Sequence, residues 1–305
     1  MIGKKGTHTI RRAWFAGSWY SADPAELETS IELSFENARS VETQHPLPFS
    51  EARFAVLPHA GHTFSSRGIA HAFAHIPATL ERIVILGPSH YAVLDADRFT
   101  TADIDTFETP LGEVRGFELF DKSHPRRTDH PVAIQREHAL EMMLPFIAYL
   151  QHQRKQHLEV SVALVSQITS PEAARLLASD IEQAISTESL EEGKVMVIAS
   201  SDFTHYGRRF NYVVHGESPL SHVTESVKRD DLAIANFLAR GDVRALFLSD
   251  YQRRSTVCGL AAAEIVSSLA FSNQSEGYIA DYYTSLDVLG SSGADFVTYC
   301  TLLWR

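Results

Sequence analysis

The feature that most constrains the fold is an unbroken aliphatic run, IVIL, at residues 83–86. A run with no polar alternation is typical of a strand that is buried on both faces, as in a parallel sheet. Gly87 and Pro88 then end the strand. His90 follows just beyond its carboxyl end, which is where open α/β sheets bind their ligands.

Two further apolar strands are each followed by side chains that bind metals or transfer protons. The strand at residues 53–57 is followed by His59, and the strand at residues 195–200 is followed by Asp202 and His205. Three strands that end in this way are hard to explain by chance. If their carboxyl ends meet at one edge of a sheet, these side chains form one site.

The order of elements predicts a single α/β domain spanning residues 1–305, with a mostly parallel central sheet flanked by helices. No repeat, low-complexity segment or linker divides the chain. Residues 1–12 indicate a loose leader, and residues 91–131 a short hairpin and a loop. Residues 278–286 and 296–303 predict two strands that add to one edge of the sheet as an antiparallel pair.

The composition argues against several classes of partner. The formal net charge is −11, from 38 acidic and 27 basic residues, whereas nucleic acids and anionic membranes require a basic face. Two cysteines, Cys258 and Cys300, do not make a disulfide framework, and no apolar run reaches the length of a membrane span. We therefore expect a cytoplasmic protein with no nucleic-acid and no membrane partner.

Three residues next to element ends, His59, His90 and Cys258, suggest a metal site. Imidazole nitrogen and thiolate are good ligands for iron, copper or zinc, and three ligands with an open position are typical of a catalytic site. Each residue alone has an ordinary explanation. A histidine after a strand can cap a neighbouring helix, and a lone cysteine is more often a small buried hydrophobic residue. The hypothesis therefore depends on the three residues together.

Two further residues, Asp202 and His205, are predicted at the same edge of the sheet. A histidine beside a metal acts as a base or an acid near neutral pH, because its ordinary pKa is about 6.5. Asp202 is a ligand, a group that orients an imidazole, or a helix N-cap. Glu137 and His138 form a weaker pair of candidates for the same chemistry.

Six segments of the chain resemble the signature segments of the Memo family, and they occur in the same order. They are AGSWY at 16–20, PHAG at 58–61, ILGPSH at 85–90, EHALEM at 137–142, SSDFTH at 200–205 and VCG at 257–259. Together these matches are specific, whereas one strand followed by a histidine is not. Within the first segment we expect Trp19 and Tyr20 to pack against the domain, with a role in a pocket wall as the alternative.

The resemblance implies a fold similar to that of class III extradiol dioxygenases, whose ferrous iron is held by two histidines and a glutamate. In Memo-like proteins the matching positions are two histidines and a cysteine, here His59, His90 and Cys258. Asp202 and His205 match residues that line the family's pocket, and His205 corresponds to the catalytic base of the dioxygenases. The resemblance also implies iron(II), with copper or zinc as alternatives because thiolate is soft. It implies AMMECR1-like proteins or radical enzymes as partners.

The sequence leaves three functions open. The first is redox or dioxygenase-type chemistry at the metal, on a small chelating substrate. The second is a non-catalytic scaffold that recognises a peptide or protein, in which Arg208 and Arg209 attract an anionic group, although a solvated loop is their ordinary explanation. The third is a hydrolase that uses zinc-bound water or a Cys258–His205 nucleophile pair.

Overall fold

The computed structural model of the protein describes residues 8–44, 46–291 and 293–305. Within these ranges, twelve strands form one mixed sheet that is flanked by helices. The strands are β1 (Ile10–Arg11), β2 (Phe54–Leu57), β3 (Arg82–Gly87), β4 (Phe99–Thr101), β5 (Thr106–Thr109), β6 (Gly112–Gly116), β7 (Arg127–Asp129), β8 (Glu159–Leu164), β9 (Val195–Ser200), β10 (His205–Tyr206), β11 (Gly277–Thr284) and β12 (Phe296–Trp304).

The helices are distributed along the whole described chain. They are α1 (Pro24–Gln44), α2 (His62–Phe73), α3 (Pro131–Arg136), α4 (Leu144–Arg154), α5 (Pro171–Ile185), α6 (Thr187–Glu191), α7 (Leu220–Ala239), α8 (Val243–Leu248), α9 (Asp250–Arg254), α10 (Leu260–Ser272) and α11 (Ser285–Leu289). Two 3-10 helices cover His138–Leu140 and Arg208–Phe210. Among the described residues, no helix combines the length and the apolar character that crossing a membrane requires.

The centre of the sheet consists of four parallel strands in the order β8-β3-β9-β2. Alternate residues of β3 pack into two separate hydrophobic cores, one on each face of the sheet. Ile83 and Ile85 pack with α1, α2 and α4, whereas Val84 and Leu86 pack with α5, α7 and α10. Because both faces are buried, the strand has no polar alternation. The predicted α/β domain with a parallel centre is confirmed.

The C-terminal strands extend the sheet beside β2, as the sequence predicts. β12 pairs antiparallel with β2 and with β11, and a short segment of β12 also pairs with β10, where Val297 lies opposite His205. The predicted strand at 278–286 ends earlier, at Thr284. Thr284 and Asp287 form a reciprocal capping box that begins α11 instead. The hairpin predicted within 91–131 is also present, as β5 and β6.

The prediction of a loose leader through residue 12 is wrong for part of that segment. Ile10–Arg11 forms β1, which pairs parallel with β5. The Arg11 side chain is completely buried, and its Nη1 donates to Glu141 Oε2 at 2.7 Å. A buried carboxylate therefore fixes this segment to the domain through charge and hydrogen bonding. Residues 1–7 lie outside the described residues.

Candidate metal centre

The parallel centre of the sheet brings three potential ligands together. β2, β3 and β9 are adjacent and parallel, so the segments after them begin at one edge of the sheet. One ligand atom each of His59, His90 and Cys258 lies within 4.8 Å of the others, and His59 Nε2 is 3.2 Å from Cys258 Sγ. The structure thus assembles the set that the sequence suggested, while metal binding by it stays a prediction.

Cys258 reaches this edge because a glycine follows it. A Cβ atom at Gly259 would lie 2.2 Å from the carbonyl oxygen of Ser200 and 2.7 Å from Ser201 Cβ, so no other residue fits without displacing the backbone. The Gly259 N–H also donates to Ser201 Oγ at 3.0 Å. This close approach holds the start of α10 against the end of β9. Cys258, which precedes Gly259, is thereby placed next to His59.

The tautomer of His59 follows from its neighbour Ser200. The Ser200 hydroxyl donates its one hydrogen to the Ala139 carbonyl at 2.6 Å, so it can only accept from His59 Nδ1, which lies 2.9 Å away. His59 therefore carries its proton on Nδ1. Its Nε2 carries the lone pair that a metal ligand requires, and that lone pair faces the Cys258 thiol at 3.2 Å.

A buried carboxylate fixes His90 in the same way. The Glu137 side chain accepts from His90 Nδ1 at 2.8 Å, from the His90 backbone N–H at 2.7 Å and from the Ala139 N–H at 3.2 Å. Burial alone raises the pKa of Glu137, but the hydrogen bonds from His90 outweigh it and hold the pKa below its usual value. Glu137 is therefore ionised, and His90 presents Nε2 as its free nitrogen.

The protonation of Cys258 argues against an activated cysteine nucleophile. Burial raises the pKa of the Cys258 thiol, and the Asp202 carboxylate raises it further. Burial, followed by the nearby His90 and His205, lowers the pKa of His59, so this pair is a neutral thiol beside a neutral imidazole. The imidazole in contact with Cys258 Sγ is that of His59, whereas the nucleophile-pair hypothesis requires His205. A bound cation would instead favour the thiolate.

Asp202 and His205 occupy different places in the site. Asp202 Oδ1 accepts the backbone N–H groups of His59 at 2.8 Å and Ala60 at 3.2 Å, so its carboxylate orients the turn that carries His59. His205 Nδ1 donates to the Phe203 carbonyl at 3.1 Å, which leaves Nε2 as a free acceptor. Both residues line the same cavity as His59 and His90.

His138 forms part of the wall beside the ligand set. Its ring centroid lies 4.3 Å from that of His90 and 4.3 Å from the indole of Trp19. Its Nδ1 lies 3.2 Å from Glu137 Oε1 and 3.2 Å from the Tyr91 hydroxyl. Burial, followed by the nearby His59 and His90, lowers the pKa of His138 to about 3, so the ring is neutral at pH 7.

His59, His90, His138, Asp202 and His205 line a cavity of about 600 Å³, which has room for a small molecule. Trp19 packs against the hydrophobic core, as expected, and it also lines the cavity, so both of its predicted roles are observed. Arg209 and Phe210 lie at the cavity too, whereas Arg208 pairs with Glu217. Sequence reasoning missed Tyr299, which lines the cavity from β12; within an apolar strand, no sequence signal distinguishes it from a core aromatic residue.

Comparisons with known proteins match most of the chain. The sequence model of a family described as Memo-like protein matches residues 11–303. A MEMO1 family protein of Sulfolobus acidocaldarius is 28% identical over 298 residues, which cover 93% of this chain and 96% of that protein. Protein MEMO1 of Xenopus laevis is 27% identical over 280 residues, covering 88% and 86% of the two chains. Protein MEMO1 of Homo sapiens is 27% identical over 256 residues, covering 82% and 80%.

Proposed function

The chain belongs to the Memo-like protein family, and from that premise we propose that it is a metal-dependent oxidoreductase. In this proposal His59, His90 and Cys258 hold one iron(II) ion, and the substrate is a small chelating molecule that enters the adjoining cavity. One observation carries the proposal. His59 and His90, each with Nδ1 engaged by a hydrogen bond, place one ligand atom apiece within 4.8 Å of that of Cys258, beside a cavity that both imidazoles line.

The donor set fits a transition-metal ion. Two imidazoles and one thiolate suit iron, copper or zinc, and three protein ligands leave positions open for a substrate. The buried acceptors behind the imidazoles, Ser200 and Glu137, are the partners that metal-binding histidines usually have. When bound, the ion would polarise a coordinated substrate and exchange electrons with it.

The protein's own residues would position the substrate and move its proton. His205 presents Nε2 to the cavity as the acceptor for a proton from the substrate, and it returns that proton later. Asp202 keeps the His59 turn in place through two backbone N–H groups. Trp19 and His138, whose tilted rings lie 4.3 Å apart, would form the wall on one side of the bound substrate.

Metal analysis of protein purified without oxygen tests the proposal. We expect about one iron ion per chain in the unaltered protein and a more than roughly tenfold lower content in the His59→Ala, His90→Ala double variant. His215→Ala is the matched control, because His215 pairs with Asp230 and belongs to neither of the two groups of side chains that could hold a metal among the described residues, His59/His90/Cys258 and His90/Glu137/His138. Equal metal content in the double variant and the control would remove the basis of the proposal, and zinc as the sole metal would overturn the redox assignment.

A further inference from the structure

Asp231, on α7, is a completely buried carboxylate that is held by hydroxyl groups. Its Oδ1 accepts the hydroxyl of Thr204 at 2.6 Å, and its Oδ2 accepts those of Thr298 at 2.6 Å and Tyr282 at 2.8 Å. Among the described residues, no lysine or arginine balances its charge, and the neighbouring Asp230 is also negative. A buried charge without a cation is costly unless hydrogen bonds offset the cost, so the groups that Asp231 binds indicate its role.

The carboxylate fixes the direction of the hydrogen bonds around it. Burial raises the pKa of Asp231 to about 6, although the hydrogen bonds from the hydroxyl groups oppose the shift, so the carboxyl group is ionised at pH 7. An ionised carboxylate only accepts, so the Thr298 hydroxyl gives its one hydrogen to Asp231. The lone pairs of the Thr298 oxygen remain as acceptors, and they take the backbone N–H of Thr204 at 2.8 Å.

The Thr204 N–H belongs to the same peptide group as the Phe203 carbonyl. Because a peptide group is planar, the Thr298 hydroxyl that holds the N–H also fixes the direction of that carbonyl. The carbonyl accepts the Nδ1–H of His205 at 3.1 Å. Two backbone hydrogen bonds to β12, from the Phe203 N–H to the Thr298 carbonyl and from the Thr298 N–H to the Thr204 carbonyl, both at 2.9 Å, keep the peptide group in this place.

We infer that Asp231 is a positioning residue, which determines which ring nitrogen of His205 carries the proton. The hydrogen bonds run from His205 Nδ1 through the peptide group and the Thr298 hydroxyl to the carboxylate. Each donor in such a chain is polarised by the next, so the buried negative charge favours the proton on Nδ1. Nε2 is thereby kept free as an acceptor. The use of Nε2 in a reaction rests on the proposed function, whereas the chain of hydrogen bonds does not.

Nitrogen NMR of isotopically labelled histidine rings tests the role of Asp231. The full-length protein is freed of metal and measured in alkaline buffer, where imidazole rings are neutral. The signals that disappear in His205→Gln identify those of His205. A ring nitrogen that carries a proton and one that does not have widely separated resonances, so the spectrum gives the tautomer directly. In the unaltered protein we expect a protonated Nδ1 and an unprotonated Nε2.

Two variants break the chain of hydrogen bonds at different points. Asp231→Asn removes the charge and places an N–H₂ group against hydroxyl donors, and Thr298→Val removes the hydroxyl that holds the peptide N–H. In both variants we expect the Nδ1 and Nε2 resonances of His205 to move towards each other, because the ring then carries its proton on either nitrogen. Thr298→Ser keeps the hydroxyl and should show the resonances of the unaltered protein.

Tyr282→Phe is the matched control. It removes one of the hydroxyl donors to Asp231, but it leaves the Thr298 hydroxyl between Asp231 and the Thr204 N–H. We therefore expect a lower melting temperature with unchanged His205 resonances. If Asp231 only stabilised the fold, Asp231→Asn would behave in the same way as this control.

The outcomes separate this inference from the proposed function. Unchanged His205 resonances in Asp231→Asn and Thr298→Val, or an equal change in Tyr282→Phe, would overturn the role of Asp231. A ring protonated on Nε2 in the unaltered protein would overturn it too. If Asp231→Asn does not fold, the difference between Thr298→Val and Thr298→Ser decides the question. Because the spectra are recorded without metal, a failure of the protein to bind iron would overturn the proposed function and leave this result unaffected.

Discussion

Two buried carboxylates, Glu137 and Glu141, lie four residues apart and have opposite surroundings. Glu141 is completely buried and pairs with the equally buried Arg11 at 2.7 Å. It also accepts the Phe15 N–H at 2.9 Å and the Tyr20 hydroxyl at 2.6 Å. The Arg11 guanidinium thus balances the charge of Glu141. Through this ion pair, Glu141 attaches the N-terminal segment to the domain.

Glu137 is almost as deeply buried, but within the described residues neither lysine nor arginine forms an ion pair with it. Its partners at the site are the imidazole and backbone of His90. Its negative charge therefore favours positive charge at the ligand set, which a metal ion supplies. The comparison indicates that Glu141 stabilises the fold, whereas Glu137 orients the His90 imidazole.

The largest effect should come from breaking the Glu141 cluster. Glu141→Gln leaves the Arg11 guanidinium buried and unbalanced, so we expect the free energy of unfolding to fall by about 3–5 kcal/mol. Urea denaturation of the metal-free protein measures this. Glu159→Gln is the control: Glu159 pairs with Arg82 near the surface, where the expected loss is below about 1 kcal/mol. Similar losses in the two variants would contradict the structural role of Glu141.

The next largest expected effect is a pH dependence of the folding stability. It comes from His62, which lies next to the Glu141 cluster. His62 stacks on Tyr20, and its Nε2–H donates to the Met142 carbonyl at 2.9 Å. Burial lowers the pKa of His62 to about 4, although that hydrogen bond opposes the shift. The unfolded chain therefore binds this proton first, near its ordinary pKa of about 6.5. Stability is full above that pH and is lost as pH falls towards 4, by roughly 3 kcal/mol.

The variant His62→Phe isolates this contribution, because it keeps a ring against Tyr20 and removes the titrating group. Other groups also titrate between pH 4 and 7. The measured quantity is therefore the difference between the two stability–pH curves, from urea denaturation at each pH. We expect that difference to change by roughly 3 kcal/mol across the range. Parallel curves would show that His62 does not titrate as its burial requires.

The sequence predicts the parts of the fold that local pattern determines. The aliphatic runs identify the parallel strands β2, β3 and β9, because burial on both faces needs continuous apolar residues. Strands of two or three residues, such as β1 and β10, have no such pattern. Their pairing depends on distant segments: the buried Arg11 contact for β1, and β12 for β10.

In the candidate site, too, some residues are predictable from local sequence pattern and others only from tertiary contacts. His59 and His90 are predictable because each follows a strand end, where parallel topology places ligands. Their partners are not, because Ser200 and Glu137 reach them from other segments. Glu137 and Glu141 occur in one short sequence segment, and only the tertiary contacts reveal which of them faces the site.

The smallest effect should come from Glu137→Gln, which tests whether Glu137 orients the His90 imidazole. An amide at this position places an N–H₂ group against one of the two His90 donors, so the imidazole loses its fixed orientation and the site loses a negative charge. We expect the affinity for iron(II) to fall by about 10–100-fold, measured by competition with a chelator. Glu141→Gln, assayed under conditions where it stays folded, should bind metal with unchanged affinity. If the two variants lose metal affinity equally, the two carboxylates do not have separate roles, and the orientation of His90 by Glu137 is not what determines binding.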